Sequence, residues 1–189
     1  QTTDNAFRIM VLVLPESSLM CVASALEPFR AANRVSDASA YAWSLASLDG
    51  RAVPLTCQID LPVEFELSPQ LYGDLLLVIG GFNQKKHVNA DGLARIRKAA
   101  SRFGSVAGVE AGSWVIGRAG LLNGKSATTH WEDFEEFSNA FPDTEVKRDR
   151  YVIDDGVMTC GGASPAFDMM LQVIRQHLGN AVALDVASV

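Results

Sequence analysis

Apolar residues recur along the chain in two alternating patterns. Phe7 to Leu14 (FRIMVLVL) is almost unbroken and β-rich, which predicts a central strand buried on both faces. Pro15 ends it. Ser17 or Ser18 can cap the helix that follows, which runs toward Asn33 with Leu19, Val22, Ala23, Leu26 and Phe29 on one face. Tyr41 to Leu48 alternates as a second strand, and Thr56 to Ser68, among prolines 54, 62 and 69, reads as irregular. Asp74 to Ile79 is another buried strand, broken by Gly80-Gly81-Phe82. Val88 to Arg102 reads as a helix, basic toward its end, as the helix dipole favours.

Ser105 to Val109 predicts a further strand and Ala111 to Ala119 a helix stopped by Gly120. Ser126 to Thr129 is a short strand, and Glu132 to Ala140 an acidic amphipathic helix ended by Pro142. Val146–Arg148, Tyr151–Ile153 and Val157–Cys160 are short strands, the last two joined by an Asp155-Gly156 hairpin turn. Ser164 can cap and Pro165 open a long helix with the stripe Phe167, Met170, Leu171, Ile174, Leu178, stopped by Gly179; Ala181 to Val189 starts one more. Strands alternating with helices predict an α/β fold, a three-layer sandwich around a mostly parallel sheet. No internal repeat or linker divides residues 1–189, which read as one domain with residues 1–5 a frayed lead-in.

Composition narrows the function. Hydrophobic residues at 48% and charged residues at 20% describe a globular chain. A net charge of −6 is a poor match for a phosphate backbone, which argues against direct nucleic-acid binding by this domain. No apolar run reaches the ~18 residues of a membrane span. Cys21, Cys57 and Cys160 are scattered and odd in number, which suggests a reducing cytosol; with His87, His130 and His177 equally dispersed, neither a metal site nor a cofactor is expected.

The candidate chemistry centres on Gly108-Val109-Glu110-Ala111-Gly112. Strand, sharp turn, then helix is the G-x-nucleophile-x-G elbow, in which small neighbours let the chain aim one side chain into a pocket. Hydrolases place Ser or Cys there; this chain places a carboxylate. Glu110 can bind a cation or accept hydrogen bonds, or simply satisfy the amides of the helix after it. Gly80 and Gly81 either offer amides to a ligand or make a tight turn needing positive φ. His130 reads equally as a pocket residue and as a cap or core histidine. Trp114 and Trp131 fit a core better than an aromatic cage. Cys160 before Gly161-Gly162 reads as a buried small hydrophobe rather than a nucleophile, Cys21 on the first helix as packed or else bordering the pocket, and Glu132-Asp133-Glu135-Glu136 as a solvated face. Ligands in such folds bind beyond the carboxyl ends of the strands, where Gly80–Phe82, Glu110, Ala111 and His130 converge.

Several stretches resemble a known family: Leu26-Glu27-Pro28-Phe29-Arg30-Ala31-Ala32-Asn33, Leu77-Val78-Ile79-Gly80-Gly81, Gly108 to Ser113, and above all Ala119 to Trp131 (AGLLNGKSATTHW), with Arg150-Tyr151-Val152, Gly161-Gly162-Ala163 and Asp168. The chain is similar to the PfpI-like, class I glutamine-amidotransferase-like superfamily, and within it to the N-terminal domain of GlxA-type AraC-family transcription regulators. The resemblance implies a flavodoxin-like fold, a small-metabolite effector, homodimerisation, a cytoplasmic setting, and DNA contact only through a helix-turn-helix domain expected beyond residue 189. It also implies that enzymatic relatives carry Cys where this chain has Glu110, so no catalytic residue is assigned. An acidic elbow residue resembles regulators of amino-acid or amine catabolism. The alternatives are an amidase-, hydratase- or glyoxalase-like enzyme using Glu110 and His130 as an acid/base pair, and a purely structural dimerisation module.

Overall fold

The computed structural model describes residues 6–189, so the expectation for residues 1–5 lies outside it. The elements in chain order are β1 (Phe7–Val13), α1 (Leu19–Val35), β2 (Tyr41–Ser47), β3 (Val53–Pro54), β4 (Asp60–Leu61), β5 (Phe65–Glu66), β6 (Gly73–Gly80), α2 (Gln84–His87) and α3 (Ala90–Ala100). They continue with β7 (Phe103–Glu110), α4 (Gly112–Arg118), β8 (Ser126–Ala127), a 3-10 turn (Trp131–Asp133), α5 (Phe134–Ala140), β9 (Glu145–Val146), β10 (Tyr151–Asp154), β11 (Val157–Cys160), α6 (Ala163–Leu178) and α7 (Asn180–Ala187). Seven strands form the central sheet in the order β10-β11-β7-β6-β1-β2-β5. All neighbours are parallel except β10, which returns antiparallel to β11. Positive φ at both Asp155 (42°) and Gly156 (80°) closes that hairpin with the twist its strands need.

The unbroken apolar runs are explained by a core on each face. Val11, Leu77 and Val109 point toward Phe29, Met170 and Ile174, the layer of α1, α6 and α7. Leu12, Leu76 and Val78 point the other way, toward Ile96, Val115 and Phe137, the layer of α3, α4 and α5. Each fully buried aliphatic side chain stabilises the fold by about 1.5–3 kcal/mol. β1 has β2 on one side and β6 on the other, so the chain reverses direction across the sheet between β1 and β6. A crevice opens at the carboxyl ends of strands at such a reversal.

Some boundaries differ from the sequence reading. The predicted helix 88–102 is α3, which Asn89 caps by accepting from the Gly92 amide at 2.9 Å; the single turn α2 before it was not predicted. The stretch 56–68 holds β4 and β5, and β5 forms the sheet edge beside β2. Ser18, not Ser17, caps α1; the Ser17 hydroxyl is buried and donates to the Leu14 carbonyl at 2.7 Å. α6 starts at Ala163 after Gly162, which has no side chain to cap it; Ser164 lies inside the first turn and accepts from Arg150 instead. Pro165 falls within the first turn of α6, where its missing N–H leaves no helical bond unmade.

Candidate functional site

The elbow is built by close backbone packing. A Cβ on Gly112 would lie 2.0 Å from the Val78 carbonyl oxygen, and one on Gly108 2.7 Å from the Ser113 backbone. A Cβ on Gly80 would meet the Gly112 nitrogen at 2.5 Å, and one on Gly81 the Glu16 carbonyl oxygen at 1.9 Å. Close approach, not a left-handed turn, is therefore what requires glycine at 80 and 81; neither has positive φ. The left-handed residue is Glu110 itself, at φ 55°. That conformation costs a non-glycine residue about 1–2 kcal/mol and is held by the packing around it.

The Glu110 side chain is half-buried. Its side-chain hydrogen-bond partner among the described residues is the Cys21 thiol, which donates to Oε2 at 3.0 Å. Burial, then this bond to a carboxylate, holds the Cys21 thiol far above its ordinary range. Cys160 is fully buried, and burial pushes its pKa up to about 12; the main-chain amide of Glu110 faces its sulfur. Both shifts favour the protonated thiol over the nucleophilic thiolate.

Two clefts meet at Glu110. One, of about 470 Å³, runs from Gly81–Lys85 past Glu110, Ala111 and Trp114 to His130, Glu132, Asp133 and Glu136. The other, of about 530 Å³, lies between Glu16, Ser18, Cys21 and Thr56 on one side and Trp131 and Gly161–Ala163 on the other. Phe82, Glu110 and His130 line both. Phe82 and Trp131 are about 70% exposed (69% and 70%), unusual for large aromatic side chains away from an interface or ligand.

Lys85, His87 and Arg118 near this junction each have a partner. Lys85 lies 3.6 Å from Glu136 and 5.8 Å from the centroid of the Trp114 ring. His87 and Asn83 both reach Glu16, at 3.0 and 2.7 Å, and with Asn83 as the larger influence they hold its carboxyl below the ordinary value. Arg118 donates to the carbonyl oxygens of Gln84 and Val88 and to Gln84 Oε1, tying α2 to the end of α4. Glu110, Glu132 and Asp133 have no Lys or Arg within salt-bridge distance among the described residues; Glu132 lies 3.5 Å from His130 Nδ1 and Asp133 accepts from Trp114 Nε1. Four carboxylates, Glu110, Glu132, Asp133 and Glu136, line this cleft together with Lys85 and His130.

The residues singled out by sequence fall as follows. Gly81, Phe82, Glu110, Ala111 and His130 share one cleft, while Gly80 is buried at the end of β6 and acts through the close packing described above. His130 makes no side-chain cap; it is a cleft residue. Trp114 is core, packed edge-on to Phe137, but Trp131 is not, because the 3-10 turn points it outward. Glu132, Asp133 and Glu136 line the cleft rather than a purely solvated face. The Cys21–Glu110 contact was missed: the two residues are 89 positions apart, and only the sheet topology brings them together. No group of three or more metal-ligating side chains occurs among the described residues.

Strand β7, the left-handed turn at Glu110 and helix α4 thus form a tight elbow with a carboxylate at its apex. Residues 8–176 match the DJ-1/PfpI family, and the chain belongs to it. It is 35% identical over 176 residues to the HTH-type transcriptional regulator CdhR of Pseudomonas aeruginosa, covering 93% of this chain and 52% of CdhR. It is 31% identical to the HTH-type transcriptional regulator GlxA of Rhizobium meliloti, covering 95% of this chain and 56% of GlxA. The chain thus spans about half the length of these curated relatives. The crystal structure of an AraC family transcriptional regulator from Pseudomonas putida superposes with a TM-score of 0.84 at 25% identity, covering 96% of this chain and 98% of that one. These relatives are transcription regulators, and the fold is the flavodoxin-like sandwich. Among the described residues no helix is long and apolar enough to cross a membrane.

Proposed function

We propose that this domain is the non-catalytic, small-molecule-sensing part of a bacterial AraC-type transcription regulator. It works in the cytosol as a homodimer and reaches DNA through a helix-turn-helix domain following residue 189. The effector is an amino acid or a cationic amine, bound where the two clefts meet, with Glu110 pairing its positive charge and Gly81, Phe82, Ala111 and His130 around it. The observation that carries this reading is the Glu110 carboxylate, aimed into the junction from a left-handed backbone with no Lys or Arg partner. Backbone strain concentrates where a side chain must be presented to a ligand. A carboxylate accepts charge-assisted hydrogen bonds well but is a poor substitute for a thiolate, so the elbow serves binding rather than acyl transfer. The relatives' description as transcription regulators supports the same reading.

A thermal-shift screen against amino acids, monoamines, diamines and quaternary amines tests it. A ligand at 100 times its Kd stabilises the native state by about 2.7 kcal/mol, a rise of several degrees. A rise with one amine class supports the sensor; turnover of the bound compound, lost in Glu110→Ala, would replace it with the acid/base enzyme.

A further inference from the structure

We propose that the state of Glu110 is transmitted through α1 and α6 to the C-terminal helix α7, so that elbow and α7 form one coupled unit on this face of the sheet. The inference rests on the sensor reading and adds its regulation. Two helices of one layer start beside the elbow. α1 presents the Cys21 thiol to Glu110 Oε2 at 3.0 Å from its first turn. α6 begins three residues after Cys160, whose sulfur faces the Glu110 amide. Farther along, Phe29 and Ala32 of α1, Met170 and Ile174 of α6, and Ala183 and Val186 of α7 belong to one buried cluster, each at most 1% exposed.

Interiors packed this closely pass on a shift rather than absorb it. The Cys21–Glu110 bond supplies the two-state contact that coupling needs. With the carboxylate free, the thiol donates to it; a cation on Glu110 competes for the same oxygens and changes what holds the first turn of α1. The helices α3, α4 and α5 pack in a separate cluster across the sheet; α4 begins two residues after Glu110, so α3 is the element of that layer used for comparison. α7 is the element from which a signal would pass to a following domain.

Amide hydrogen exchange tests this without a ligand, in the wild type, Glu110→Gln, Cys21→Ala, Cys21→Ser and the Glu110→Gln/Cys21→Ala double variant. Glu110→Gln removes the charge that the thiol sees, as a bound cation would. We expect Glu110→Gln and Cys21→Ala each to raise exchange in residues 19–25 and 180–187 by about fivefold or more, with residues 90–100 within about twofold of wild type. The double variant should add little to either single change, the signature of one shared interaction. Cys21→Ser, which keeps a donor, should restore the wild-type pattern. Unchanged exchange in 180–187, or an equal rise in 90–100 and 180–187, overturns the proposal. Because no ligand enters, failure here leaves the sensor reading standing, and an empty ligand screen leaves the coupling standing.

Discussion

Replacing Gly112 by alanine should damage the fold far more than replacing Gly124. At Gly112 the added methyl carbon would sit 2.0 Å from the Val78 carbonyl oxygen and 2.9 Å from its carbon, well inside ordinary contact. Neither side can yield easily: Val78 lies in β6 between β1 and β7, and Gly112 opens α4, whose Val115 and Ile116 are fully buried. Relieving the clash needs a backbone shift of more than 1 Å in the sheet centre, the upper end of overpacking, at about 3 kcal/mol or more. At Gly124 nothing lies within 4 Å, and only φ +72° is at issue. The left-handed penalty there, less the entropy that alanine removes from the unfolded chain, comes to about 1 kcal/mol. For a chain of this length, Tm should fall by about 6–12 °C in Gly112→Ala and about 2–4 °C in Gly124→Ala. Calorimetry on both variants checks this. Equal, small losses would refute the close packing of α4 on β6, and with it the account of how the elbow aims Glu110.

Three further outcomes follow from the same geometry. Below pH 9 the Cys160 thiol is protonated in both states; above it the unfolded thiol ionises while the native one, with a pKa of about 12, does not, so stability falls as pH rises between those values. Cys160 should therefore contribute a loss of about 1.4 kcal/mol per pH unit, and urea titrations at pH 8.5 and 10 should show a shallower decline in Cys160→Ala than in wild type. Arg118→Met strips donors from the Gln84 and Val88 carbonyls and should lower stability by about 1–3 kcal/mol, with faster exchange at residues 84–88. Glu16→Gln weakens the link from the β1–α1 loop to Asn83 and His87. Since Glu16 titrates below its ordinary value, that link is complete at neutral pH and lost as pH falls through the carboxylate range, and exchange at residues 83–87 should rise in parallel on acidification in wild type but not in the variant.

The sheet was legible in the sequence because its strands are buried on both faces: FRIMVLVL and DLLLVIG admit few other readings. The elbow was legible for a different reason, since Gly108, Glu110 and Gly112 stand at a fixed spacing. Two-residue strands such as β4 and β5 were not, because pairing of that length leaves no periodicity. α2 was not legible because a single turn is too short to show helical periodicity. At the site, Gly80 and Gly81 were seen but their reason was not: a glycine needed for close approach and one needed for a turn look alike until the opposing backbone is placed. Cys21 could be placed near the pocket from sequence, but its bond to Glu110 and the acidic residues 132, 133 and 136 emerged only with the topology. Trp131 stands exposed at the start of a 3-10 turn that the sequence reading had not resolved from the helix after it.

The central claim is that Glu110 holds the positive charge of a ligand. Its most direct test is isothermal titration calorimetry of the strongest amine from the thermal screen, on wild type and Glu110→Gln at matched ionic strength. Loss of a charge-assisted contact predicts weakening by about 1.5–3 kcal/mol, roughly 10- to 150-fold in Kd, with Tm little changed. An affinity unchanged in Glu110→Gln would remove Glu110 from the site and contradict the account.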